Sequence, residues 1–181
     1  MNPDEKRVLQ KAQLLGKWNG SKLFYSIGRQ YQRNWSVKRG EVYFVDLGQN
    51  VGSEENKIRP VVVIQANAYN FKSPVFTCAI ISSSTMTIPD IQVPISGSYA
   101  YTDEHGTTQN LHGTIDLGQI KTVAKERIMG KRICTLSQSE MEAVDTSLFN
   151  VLGLRNALTT RDNIIASLNG KVKYLQEQKN P

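Results

Sequence analysis

Hydrophobic positions along the chain fall into two regimes. Between residues 37 and 154 they form short β-rich runs separated by polar stretches. Glu41–Leu47 alternates apolar and polar positions, as a half-buried strand does. Arg59–Gln65 and Ser73–Ser82 are short continuous apolar runs that read as buried strands. Ile91–Ser96 contains Pro94, which cannot donate to a ladder and so predicts an edge strand. Gly97–Gly113 is polar and predicts a long loop or hairpin. Thr114–Val123 predicts a strand bent at Gly118. Ala124–Leu136 predicts a turn or short helix followed by a last strand. Ser137 and Glu140 then form a capping box ahead of Met141, Val144, Leu148 and Val151, which recur at helical spacing.

The flanks carry a different period. Val8, Ala12 and Leu15 predict a helix, and Gly16 and Gly20 are expected to end it. Tyr25–Trp35 is expected to form a second helical piece. Near the C-terminus, Leu158, Ile165, Leu168, Val172 and Leu175 follow a narrow coiled-coil-like seam that Asn169 and Gly170 interrupt. That segment is expected to pack on the N-terminal helix or on a partner chain. The expectation is a mainly β domain at 37–154, a basic helical extension at 1–36 and a helical extension at 155–181.

Composition narrows the class without changing this layout. The 181 residues suffice for one domain with extra pieces, and 39% apolar with 21% charged residues is the balance of a soluble globular protein. No apolar run reaches the ~18 residues of a membrane span, and the first residues lack the apolar core of a secretory signal. Cys78 and Cys134 lie far apart in apolar runs, with no Cys/His cluster that would suggest zinc. Reduced thiols in a cytoplasmic protein, with no cofactor, are therefore expected.

The net charge of +6 is unevenly placed. Within residues 1–35, Lys6, Arg7, Lys11, Lys17, Lys22, Arg29 and Arg33 face only Asp4 and Glu5, for a local balance of +5. Trp18, Phe24, Tyr25, Tyr31 and Trp35 are interleaved with them. Basic and aromatic side chains together grip phosphates and stack bases, although a solvated helical face would have the same composition.

Arg59 poses the sharpest question, because it puts a permanent cation at the entry of a buried strand. It is either a strand-end charge with a surface carboxylate partner or a group aimed at an anion. Lys38–Gln65 (KRGEVYFVDLGQNVGSEENKIRPVVVIQ), Cys78–Ser84 (CAIISSS), Thr114–Val123 (TIDLGQIKTV) and Leu136–Leu154 occur in an order that resembles the MazF/PemK family of toxin endoribonucleases. The resemblance covers Val37 to about Leu154 and leaves the flanks unexplained. It implies a small SH3-like antiparallel barrel closed by a C-terminal helix, usually a homodimer. It also implies metal-independent cleavage of single-stranded RNA to 2′,3′-cyclic phosphate and 5′-hydroxyl ends, and a cognate antitoxin protein as partner.

By the same resemblance Arg59 is the catalytic arginine. A guanidinium stabilises phosphorane charge through bidentate contacts, and Pro60 holds Arg59 extended. Ser82 falls where the family has a catalytic Thr; Ser83 and Ser84 are its register alternatives. Gly118 stands where several relatives carry an acidic residue. Asp116, two residues earlier, either substitutes as general base or leaves the base missing. Gln119 matches the family and is placed to contact a base or phosphate. Glu54 either holds its loop or faces RNA. His105 and His112 invite an acid–base pair, with His112, beside the next strand, the better placed. The rival reading is a catalytically weak relative that binds nucleic acid or protein; an adaptor built on the flanks has only the seam in its favour.

Overall fold

The computed structural model describes residues 2–27, 36–83, 88–103 and 105–179. In chain order they form α1 (Pro3–Ile27), β1 (Glu41–Asp46), β2 (Ile58–Val63), α2 (Asn67–Asn70), β3 (Val75–Ser82), β4 (Gln92–Pro94), β5 (Tyr99–Thr102), β6 (Thr108–Leu111), β7 (Thr114–Ala124), β8 (Ile128–Thr135), α3 (Gln138–Val151) and α4 (Arg155–Lys179). A single 3-10 turn, Lys125–Arg127, links β7 to β8.

Six strands pair antiparallel in the order β4-β7-β3-β2-β1-β8, and β5-β6 is a separate hairpin. Pro94 sits on the edge strand, as expected. Among the described residues the edges β4 and β8 do not pair with each other.

The apolar runs are continuous because both faces of the sheet are covered. On one face Val42, Val62, Ala79, Ile81, Ile115 and Leu117 pack against Met141 and Val144 of α3 and Leu111 of the hairpin. On the other, Tyr43, Val45, Val61, Val63, Cys78 and Ile80 meet Val37, Leu47, Phe76 and Ile128. Val61, Val62 and Val63 are all fully buried, each contributing roughly 1.5–3 kcal/mol.

The capping box fixes α3. Ser137 Oγ accepts from Glu140 N at 3.3 Å, and Glu140 Oε2 accepts from Ser137 N at 2.9 Å. Glu140 also accepts from the backbone N–H groups of Ser96 and Gly97, at 2.9 and 3.0 Å, and from the Tyr99 hydroxyl. One carboxylate therefore ties α3 to the base of the β5-β6 hairpin. Burial pushes its pKa up, but the bonds from Tyr99, Ser137 and Gly97 outweigh that and bring it down to about 2.

Burial keeps both cysteines protonated and free, raising Cys78 to about 12 and the half-buried Cys134 to about 11.

Both flanking expectations need correction. The helix does not end at Gly16 or Gly20: α1 runs unbroken through both, and a Cβ at either would meet open space. The reason is tertiary, since α1 is pinned to the sheet at three points described below. Tyr25 belongs to α1; Arg29, Tyr31, Arg33 and Trp35 lie outside the described residues. Likewise α4 continues through Asn169 and Gly170. Ile165, Leu168, Val172 and Leu175 are exposed, so of the two expected settings, α1 or a partner chain, packing on α1 is not seen among the described residues. Among the described residues no helix is long and apolar enough to cross a membrane.

Candidate active site

The β1–β2 loop builds the site. Its neck closes where Leu47 N donates to Lys57 O at 2.8 Å and Lys57 N donates to Gly48 O at 2.7 Å. Gly48 (φ 77°) and Lys57 (φ 64°) turn through the left-handed region there. The returning chain lays Ser53–Glu55 over β7. The Gln119 amide accepts from Glu55 N at 2.8 Å and reaches Ser53 O at 3.4 Å. Lys121 Nζ pairs with Glu54 at 3.4 Å. Asn50 Nδ2 donates to Glu55 O at 2.6 Å. Glu55 then turns inward, its Oε2 2.8 Å from Arg59 Nε.

Strand register brings the other groups alongside. β1 pairs Val45 with Arg59, and β2 pairs Val61 with Ile80 of β3. Arg59 lies two residues before Val61 on β2, and Ser82 two residues after Ile80 on the neighbouring β3, at the same end of that strand pair. β7 pairs Thr114 with Ser82 and Asp116 with Ile80. Opposite residues on antiparallel strands share a face with Cβ atoms roughly 5 Å apart, and diagonal neighbours lie ~7–8 Å apart. Ser82 and Thr114 are thus neighbours across one row, Asp116 is one step along from it, and Arg59 lies at the same end of the adjacent β2.

Gly118 does more than bend the strand. Ala79 pairs with Ile120 but Ile80 with Asp116, so Leu117–Gln119 form a bulge. Strand β7 is therefore not continuous between Asp116 and Gly118, and Asp116 Oδ1 accepts from Gly118 N at 2.9 Å.

Gly113 packs against the Ser82 carbonyl, where a Cβ would overlap it, and its φ of +119° suits glycine alone. Gly113→Ala is expected to destabilise the fold by ~2 kcal/mol and to lower activity by displacing Ser82. Thermal melts and RNA-cleavage rates check this, and unchanged values for both would contradict it.

His112 is exposed, with Nδ1 3.1 Å from Asn110 O. His105 is exposed in the β5–β6 turn beside Asp103. Ser83 is exposed past the end of β3, and Ser84 lies outside the described residues. Glu54 and Gln119 both hold the loop. Sequence reasoning missed Glu55, Lys121 and Asn50. Glu55 stands four residues before Arg59, a spacing visible in the chain, but its role depends on the loop path. Among the described residues no group of three or more His, Cys, Asp or Glu is placed to hold a metal ion.

Residues 38–152 match the PemK-like, MazF-like toxins of type II toxin–antitoxin systems, and the chain belongs to that family. It is 38% identical over 112 residues to Endoribonuclease EndoA of Bacillus subtilis (strain 168), covering 62% of this chain and 90% of the relative. It is 34% identical over 120 residues to Endoribonuclease MazF of Staphylococcus epidermidis, covering 66% and 94%. The fold is shared with a solved endoribonuclease from Mycobacterial species (TM-score 0.52, 21% identity, 67% of this chain and 96% of that one). A second Mycobacterial endoribonuclease, solved in complex with its cognate antitoxin, gives a TM-score of 0.51 at 24% identity, over 66% and 97%. The family match ends before α4 and begins after α1.

Proposed function

We propose that the chain is a sequence-specific endoribonuclease that cuts single-stranded RNA without a metal ion, as the toxin of a toxin–antitoxin pair. The observation that carries this is the position of Arg59 on β2 and Ser82 on the neighbouring β3, in a chain of this family. The ribose 2′-oxygen attacks the adjacent phosphate, and the 5′-oxygen leaves. The products are a 2′,3′-cyclic phosphate and a 5′-hydroxyl. Arg59 binds the charge that develops on the phosphorane oxygens, and the Ser82 hydroxyl donates to one of them. Asp116 is assigned to receive the 2′-OH proton, and His112 to protonate the leaving oxygen.

Residues 37–154 act as the toxin domain, with α1 and α4 as extensions. The family membership supports a cognate antitoxin as partner, and the resemblance supports a homodimer in the cytoplasm. The deciding experiment incubates purified protein with a long RNA in EDTA and maps the new ends. Cuts bearing 5′-hydroxyls support the reading. Inertness of a folded protein would replace it with a binding module, which Gly118 at the usual acidic position favours.

The basic α1 is expected to add RNA affinity without choosing sequence, because phosphate contacts carry little base information. Deleting residues 1–35 should flatten log K against log salt by roughly 0.7 per lost phosphate contact, once the truncated protein is shown to fold. An unchanged slope would place α1 away from RNA. An altered cleavage motif would show that it reads bases.

A further inference from the structure

The catalytic reading gives no role to α1's docking or to Glu55, and the structure joins them. Lys11, Trp18 and Tyr25 recur every seven residues on α1, and each touches the β1–β2 hairpin. Lys11 Nζ donates to Asn50 O at 2.9 Å. The Trp18 indole covers Gly48 so closely that any Cβ there would overlap it, and Arg127 lies over the same ring at 5.0 Å. The Tyr25 hydroxyl donates to Asp46 Oδ2 at 2.7 Å. Asn50, held from outside by Lys11, holds Glu55 O through its side chain at 2.6 Å, and Glu55 holds Arg59 Nε. The contacts thus run Lys11, Asn50, Glu55, Arg59.

We propose that Glu55 is a positioning residue for Arg59, and that α1 is a brace fixing the loop that carries it. This rests on Arg59 being the group that binds the reacting phosphate. Arginine has five N–H donors, and a carboxylate on Nε sets the rotation of the guanidinium while leaving both terminal NH2 groups for a bidentate phosphate contact. The Arg59 side chain is 41% exposed, and without that anchor its flexible stem would sample many rotamers. Displacement of a catalytic group by about 1 Å can cost ~100-fold in rate. The anchor adds no attraction for RNA, so its loss is read in kcat rather than KM.

The test uses full-length protein. Glu55→Ala is expected to lower kcat about tenfold with KM unchanged or lower, its melting temperature staying close to wild type. Trp18→Ala, which keeps the charge of α1, should lower kcat by the same order and add nothing in the Glu55→Ala background. Amide hydrogen exchange at Glu55 and Lys57 should quicken at least about tenfold in Trp18→Ala. A rise in kcat/KM in Glu55→Ala would mean that the carboxylate competes with phosphate, overturning the positioning role. Additive losses in the double variant, or unchanged exchange, would overturn the brace. Absence of cleavage by wild-type protein would instead sink the catalytic reading, and the exchange measurement would still decide the brace.

Discussion

Arg59→Ala is expected to fold normally and to cleave RNA 10²–10³-fold more slowly, a loss on the order of 3–4 kcal/mol of transition-state stabilisation. The fold is expected to survive because the side chain sits at the entry of β2, and its ion pair to Glu55 is partly solvated. Such a pair contributes roughly 0–1 kcal/mol. The rate should fall because the Arg59 guanidinium is asked to stabilise charge that exists only in the transition state. Single-turnover cleavage of a defined RNA by wild-type and variant protein measures the difference, with circular dichroism as the control for folding. Near-normal cleavage by the folded variant would assign the chemistry to another residue.

The second large effect is on stability. Glu140→Gln is expected to destabilise the protein on the order of 3 kcal/mol near neutral pH, since it replaces a buried charge that four neighbours are arranged to satisfy. The pH dependence has a definite sign. The native carboxyl titrates at about 2, below its ordinary value of 4.5, so the contribution is complete above roughly pH 4.5 and declines as pH falls towards 2. Urea titrations of both proteins from pH 7 to 2 should show the gap narrowing across that window. A constant gap would mean that Glu140 acts through shape rather than charge.

Much of the layout was legible in the chain. The strands declared themselves because β1, β2 and β3 are buried on both faces or alternate cleanly, and Pro94 could occupy only an edge. The capping box named its own helix start, and motif order singled out Arg59 and Ser82 as candidates. The errors share one cause. A glycine inside a helix costs about 1 kcal/mol, which made Gly16, Gly20 and Gly170 look like breaks. Along α1, contacts from Lys11, Trp18 and Tyr25 to residues more than 20 positions away outweigh that cost. No pattern within the N-terminal segment announces those partners. Among the described residues nothing covers α4, and its passage through Gly170 has no tertiary account. Glu55 was hidden because its partnership needs the loop to close on Gln119, and the bulge at Leu117–Gln119 because only pairing with β3 reveals it.

The order of strands in the sheet also sets a timetable. β1 is made first but must pair with β8, where Glu41 meets Thr135. β7 likewise joins β3 only after the whole hairpin has been made. Closing such long loops before their contacts form slows folding to the range of milliseconds to seconds typical of β-rich domains. During synthesis, the β1–β2 hairpin that carries Arg59 can form early, but the row that holds Ser82 and Thr114 waits for β7. β1 stays an open edge until β8 emerges. The chain therefore cannot become an assembled toxin until most of it has been translated.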